Sequence, residues 1–203
     1  MSAELTKSTK QIYTGVLIIA LSSVLLAITS FILFVISAVV INKGDMSMSA
    51  SFSFMAILGL IVVVFGILSF VGYIIYFLGI NKFKTLVNNN DKPAAKILFL
   101  GVLLSLIGAL LAIIPVIGVV GGFVSLAGSI LMIVAYNKLK NSSTMPEKAK
   151  KGWSLLFISA LALVLVFVIG FIPVAGLWLS SIVSIFAWIM IIIGWKKIKT
   201  HLV

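Results

Sequence analysis

Between Lys96 and Lys138 the chain runs for about 40 residues without a charged side chain, twice what one bilayer crossing needs. No other feature narrows the possible folds as much. Pro115 stands near the middle of the run. Proline lacks an N–H and disfavours helix in the residue before it. Backbone polar groups in hydrocarbon must be satisfied within their own segment, so a helix can break only near an interface or inside protein. Ile114-Pro115-Val116-Ile117-Gly118 therefore reads as a turn between two spanning helices, with Gly118 permitting tight backbone geometry. One kinked helix would overshoot the bilayer and carry the flanking lysines to opposite sides.

The same plan recurs along the chain. Of 203 residues, 63% are apolar and only 9% charged, where a soluble domain carries about a quarter. Apolar runs are expected at 13–41 and 50–80, at 97–114 and 116–136, and at 155–172 and 174–195. Residues 1–12 read as a polar tail, and 81–96 and 137–152 as polar linkers. An offset of 58 lays Pro115-Val116-x-Gly118 on Pro173-Val174-x-Gly176, and Leu98-Phe99 on Leu156-Phe157. Three runs end alike, in Asn81-Lys82-Phe83-Lys84, Asn137-Lys138-Leu139-Lys140 and Trp195-Lys196-Lys197-Ile198-Lys199. The first pair lacks the proline turn and is the divergent copy. The expected fold is an all-α membrane protein, a single membrane domain over 1–203. Its six transmembrane helices form three tandem αα-hairpins, 13–80, 97–136 and 153–195, each a unit that stacks on its neighbours.

Lysine placement sets the expected topology. All 15 basic residues are lysine, and the net charge is +11. Only Lys43, beside Asp45, falls in an outer loop; the others lie in the N-terminal tail, the two linkers and the C-terminal tail. The positive-inside rule puts both termini in the cytoplasm, with the hairpins as parallel repeats in the cell membrane. The run 13–41 exceeds a signal-peptide core, so it reads as a retained span. Without cysteine there is no disulfide or thiolate site, and without arginine the fork that favours nucleic acid is missing.

No Asp, Glu, Lys, Arg or His falls inside any expected span. An ionisable group at mid-membrane costs roughly 2.5–3.5 kcal/mol, so its presence usually marks function. The absence weighs against proton pumps, ion-coupled transporters and intramembrane acid–base or metal enzymes. Gly101, Ser105 and Ala109, Gly118 and Gly122, and Gly176, Ser180 and Ser184 recur four residues apart, the spacing that lets helices approach closely. They are candidate packing or interface residues. Ser22, Ser23, Thr29, Ser30 and Ser37 could line a conduit, although span serines commonly bond a carbonyl one turn back. Tyr13, Tyr136, Trp153 and Trp195 read as anchors at the cytoplasmic interface; Trp178 falls near the opposite one and Trp188 deeper. Lys82, Lys84, Lys138, Lys140, Lys196, Lys197 and Lys199 are candidates for anionic lipid headgroups. His201 sits in a tail, and Asp91 and Glu147 are dispersed acids.

On its Gly/Ile/Leu hairpins, the Ile114-Pro115-Val116-Ile117-Gly118 turn and the Tyr/Asn-Lys-φ-Lys endings, the chain resembles small multi-span membrane proteins of archaea and bacteria. The resemblance lies mostly in 55–140, implies a membrane fold and brings no catalytic residue. The expected function is non-enzymatic and needs no cofactor: a structural or accessory subunit packing on itself or on another membrane protein. The alternative is a passive channel or transporter for a small neutral or lipid-like solute. A lipid-directed enzyme using Asp91 and Glu147 is the least supported reading.

Overall fold

The computed structural model describes residues 3–43, 48–112, 114, 117–169, 172 and 175–202. It has six helices: α1 (Ala3–Lys43), α2 (Met48–Leu86), α3 (Lys92–Ala112), α4 (Gly118–Lys140), α5 (Glu147–Ile169) and α6 (Ala175–His201). All six are long and apolar enough to cross a membrane, and there is no strand among the described residues. Pro115 and Pro173 lie outside those residues, as do 44–47. The helices nonetheless stop where the turns were expected, α3 at Ala112 and α5 at Ile169.

The helices run further at the lysine-bearing end than the apolar runs indicate. The expected polar tail is the first part of α1, with Leu5, Ser8, Thr9 and Ile12 buried. The expected linkers shrink to 87–91 and 141–146, because α2 continues to Leu86 and α4 to Lys140. The charges there suit helix ends. Lys84, Lys138, Lys140, Lys199 and His201 sit in the last turns of α2, α4 and α6. Glu4 and Glu147 sit in the first turns of α1 and α5, and Asp91 directly precedes α3. Acids at N-termini and bases at C-termini both oppose the helix dipole.

Packing is most extensive between α1 and α2, α3 and α4, and α5 and α6, each pair antiparallel. Glycines make this possible. A Cβ on Gly15 would fall 2.7 Å from the Gly72 carbonyl oxygen. One on Gly101 would fall 2.8 Å from that of Gly128, and one on Gly152 would fall 2.7 Å from that of Gly194. The backbones touch, and any side chain would force them apart. Thinner contacts join α2 to α3, α4 to α5 and α6 back to α1, so the six helices close into a ring.

The buried core lies at the lysine-bearing end. Ile12, Leu98 and Leu156 are buried at corresponding positions of α1, α3 and α5, each followed four residues later by buried Val16, Val102 or Ala160. Phe83, Leu139 and Ile198 are buried near the ends of α2, α4 and α6. The lysine after each of these reaches across to the next pair. Lys84 Nζ stands 3.4 Å from the Phe99 ring centroid, Lys140 Nζ 3.8 Å from Phe157, and Lys199 Nζ 4.2 Å from Tyr13. Each such contact contributes about 0.5–1 kcal/mol at a surface and more when desolvated.

The interface-anchor reading needs correction. Trp153, Trp195 and Tyr136 are interior residues, with Trp153 and Trp195 fully buried. Trp153 packs on Phe83, Tyr136 and Trp195, with ring centroids 5.8, 6.0 and 5.3 Å away. Helix extension past the apolar runs carries these rings into the bundle, where residues from several helices meet. Tyr13 is only half-buried and carries Lys199 on its ring. His201 belongs to α6, with Leu202 buried beyond it, so this segment is part of the bundle.

Candidate functional site: a hydroxyl-lined chamber in the bundle

Beside the aromatic cluster the six helices line a partly open chamber of about 210 Å³. Every helix contributes: Val16 and Ile19 from α1, Tyr73 and Tyr76 from α2, Ser105 from α3, Ser125, Ser129, Met132 and Tyr136 from α4, Ser159, Ala160 and Leu163 from α5, and Trp188 and Ile191 from α6. One water needs only some 10–15 Å³ by the same measure, so a small organic group fits. Seven of these side chains carry a hydroxyl and none carries a charge.

Local helix chemistry occupies part of the hydroxyl capacity. Ser129 Oγ donates to the Ser125 carbonyl at 3.0 Å, and Ser159 Oγ to the Leu156 carbonyl at 2.8 Å. Their remaining acceptor capacity faces the interior. The Tyr76 and Tyr136 hydroxyls lie 3.4 Å apart, longer than a good O–H···O bond. Ser105 Oγ is buried and makes no hydrogen bond of good geometry within the protein. An unmet buried polar group costs about 1–3 kcal/mol, which a bound molecule offering a donor or acceptor would recover.

The chamber meets aromatic packing at one end and shares a lining residue with each of two grooves. Towards the lysine-bearing end its Tyr76 ring packs on Trp195 and its Tyr136 ring on Trp153, with centroids 6.1 and 6.0 Å apart. Trp188 belongs both to the chamber and to a groove of about 280 Å³ with Ser23, Ser180, Ser181 and Ser184 between α1 and α6. Tyr73 belongs both to the chamber and to a groove of about 250 Å³ lined by Leu26, Gly66, Ser69, Phe70, Leu106, Ala109 and Leu110. The first groove is rich in hydroxyls and the second is apolar.

The residues singled out from small-residue spacing fall mainly within the chain's own packing. Gly101 is buried at the α3–α4 crossing, and Ser105, one turn on, lines the chamber. Ala109 lines the apolar groove, while Ser180 and Ser184 line the serine groove. Gly118 faces Ala112 across the α3–α4 turn, and Gly122 faces Phe167 of α5 at 3.8 Å. Gly176 is in α6, but its surroundings, like the side chains of Ser30, Ser37 and Trp178, lie outside the described residues. Of the other first-span hydroxyls, Ser22 is buried and Thr29 Oγ1 bonds the Leu25 carbonyl at 2.8 Å. Lys82, Lys138 and Lys196 are exposed and Lys197 is half-buried at the lysine-bearing end.

Tyr73, Tyr76, Ser125, Ser129 and Ser159 were not singled out from the sequence. Periodicity places each on a helix, but the meeting of six helices around one space is not written in any single segment. The dispersed acids are engaged elsewhere. Asp91 is buried and accepts a short hydrogen bond from Thr144 Oγ1, and Glu147 pairs with Lys150 at 2.6 Å. Comparison with protein-family models, with curated proteins and with solved structures yields no match.

Proposed function

We propose that this chain is an integral membrane protein that holds a small neutral or lipid-like molecule by its hydrogen-bonding end, as a passive carrier or channel. The central chamber carries the proposal. Its hydroxyls can donate or accept as a ligand requires, and it offers no opposite charge to compensate the desolvation of an ion. Of the small-residue positions that suit a structural subunit, Gly101 packs on α4 and Ser105 lines the chamber, while Ala109, Ser180 and Ser184 line the two grooves.

In this reading the hairpins are tandem copies of one unit in one orientation. The corresponding buried positions, the Gly15–Gly72 and Gly101–Gly128 crossings and the ring of Lys84, Lys140 and Lys199 contacts support it. The lysine-bearing end faces the cytoplasm of the cell membrane, where anionic headgroups meet Lys82, Lys138, Lys196 and Lys197.

A short-chain alcohol carrying a photoreactive diazirine tests the chamber in reconstituted protein. The expected result is saturable labelling at Tyr73, Ser129 or Tyr136, competed by unlabelled butanol and lost in a monodisperse Ser129→Leu variant. Labelling confined to the outer surface, or unchanged in that variant, overturns the proposal.

One observation favours a partner as well. α1 and α2 have 41 and 39 residues, whereas α3 to α6 have 21 to 27. Packed from the same end, the first pair projects about 20 Å beyond the others. Its sequence there, 31–41 and 50–61, is apolar, which suits an accessory role against a second copy or another membrane protein. Native mass spectrometry of gently extracted protein would give discrete oligomeric or heteromeric masses; a lone monomer would remove this second role.

A further inference from the structure

We infer that the molecule held in the chamber is a single-chain amphiphile, such as a long-chain alcohol, whose hydroxyl lies in the chamber and whose chain lies in the apolar groove between α2 and α3. This inference rests on the chamber reading above and narrows its ligand class. Tyr73 lines both spaces, so the hydroxyl-lined interior and the apolar groove meet at one side chain. The groove is walled by Leu26, Phe70, Leu106 and Leu110, and Phe70 and Leu110 are each 43% exposed. Within a membrane span the surrounding solvent on that face is acyl chain, so a hydrocarbon tail can pass from bilayer to groove without crossing water.

The other ways into the chamber fit this ligand less well. At the lysine-bearing end the Tyr76 and Tyr136 rings that line the chamber pack on the buried rings of Trp195 and Trp153. The recess beside Trp188 presents Ser23, Ser180, Ser181 and Ser184, a lining for water or a headgroup and not for a tail. Gly66 supplies the recess in the apolar wall. Gly66 is exposed, and a Cβ built there would meet nothing within 4 Å, so this position of α2 is open to an added side chain.

That opening gives a clean experiment. Gly66→Leu adds bulk to the groove lining at a position where a Cβ meets nothing within 4 Å, and Gly59→Leu, whose Cβ likewise meets nothing, is the control outside the groove. Each variant and the wild-type protein is reconstituted with a dodecanol analogue bearing a diazirine in mid-chain, and labelled residues are mapped by mass spectrometry. The expected result is labelling at Phe70, Leu106 or Leu110, competed by unlabelled dodecanol, lost in Gly66→Leu and kept in Gly59→Leu. Labelling spread over the lipid-facing surface, or unaffected by Gly66→Leu, overturns the inference. The short alcohol separates the two readings. If it labels the chamber while the long one does not occupy the groove, the chamber stands and the amphiphile fails. If it never enters the chamber, both fail.

Discussion

At the scale of single residues, identical chemistry has opposite consequences in different places. A Cβ on Gly128 would fall 2.5 Å from Ser105 Oγ and 2.6 Å from the Gly101 carbonyl oxygen. Gly128→Leu is therefore expected to lose about 1–3 kcal/mol or more to overpacking. At Gly66 a Cβ meets nothing within 4 Å, and leucine is a better helix former than glycine, a gain of up to about 1 kcal/mol. Thermal unfolding in detergent, followed by size exclusion, should lower the midpoint for the first and hold or raise it for the second. Trp153 offers a second contrast. Its ring is fully buried, but its Nε1 has no hydrogen-bond partner. Trp153→Ala should cost about 3–5 kcal/mol by leaving a cavity. Trp153→Phe keeps much of the aromatic packing and removes the unmet donor, so the same assay should find a much smaller loss. Sequence spacing identified small residues at Gly101 and Ser105 but not which helix faces them, because an apolar helix in lipid has no polar face to mark its inner side.

At the scale of elements, the ends of the helices were the least legible part. Hydropathy locates where a helix leaves hydrocarbon, and α1, α2 and α4 continue past that point. A signal for the continuation was present in the acids. Glu4 and Glu147 lie in first turns and Asp91 immediately before one, where a negative charge opposes the dipole. Asp91 does more than this. Its buried carboxylate accepts from Thr144 Oγ1, tying the α4–α5 connection to the start of α3. Thr144→Val should leave that carboxylate short of a donor and cost about 1–3 kcal/mol, measured as a lowered unfolding midpoint. Thr144→Ser, which keeps the hydroxyl, should restore most of it. No loss in the valine variant would mean that solvent replaces the hydroxyl without cost.

At the scale of the whole molecule, the ring of hairpins is closed by packing between α6 and α1. Leu5 and Leu202, near the two ends of the chain, are both buried at the lysine-bearing end. A circular permutant with the ends joined by a short linker and the chain opened between Ser142 and Ser143 should therefore fold as a monodisperse protein. Its unfolding midpoint should lie near that of the parent. Aggregation of this permutant, with a parent carrying an insertion at the same point still soluble, would show that the α1–α6 contact does not close the ring. Orientation is open to an equally direct measurement, because the chain has no cysteine. Ser143→Cys is expected to react with an impermeant thiol reagent only after the cytoplasmic side is exposed.

The sequence by itself determined the solvent, the number of helices and which end carries the charge. Charge-free runs of this length leave a chain little choice but to satisfy its backbone within helices, and lysines gathered at one end, Lys43 apart, mark one set of helix ends. Lipid, however, is as apolar as the side chains it touches. Hydropathy therefore does not distinguish a residue facing acyl chains from one facing another helix. That choice was made by close packing, through glycine against carbonyl and lysine over ring. It placed Trp153 and Trp195 in the interior and brought hydroxyls from four helices around one chamber.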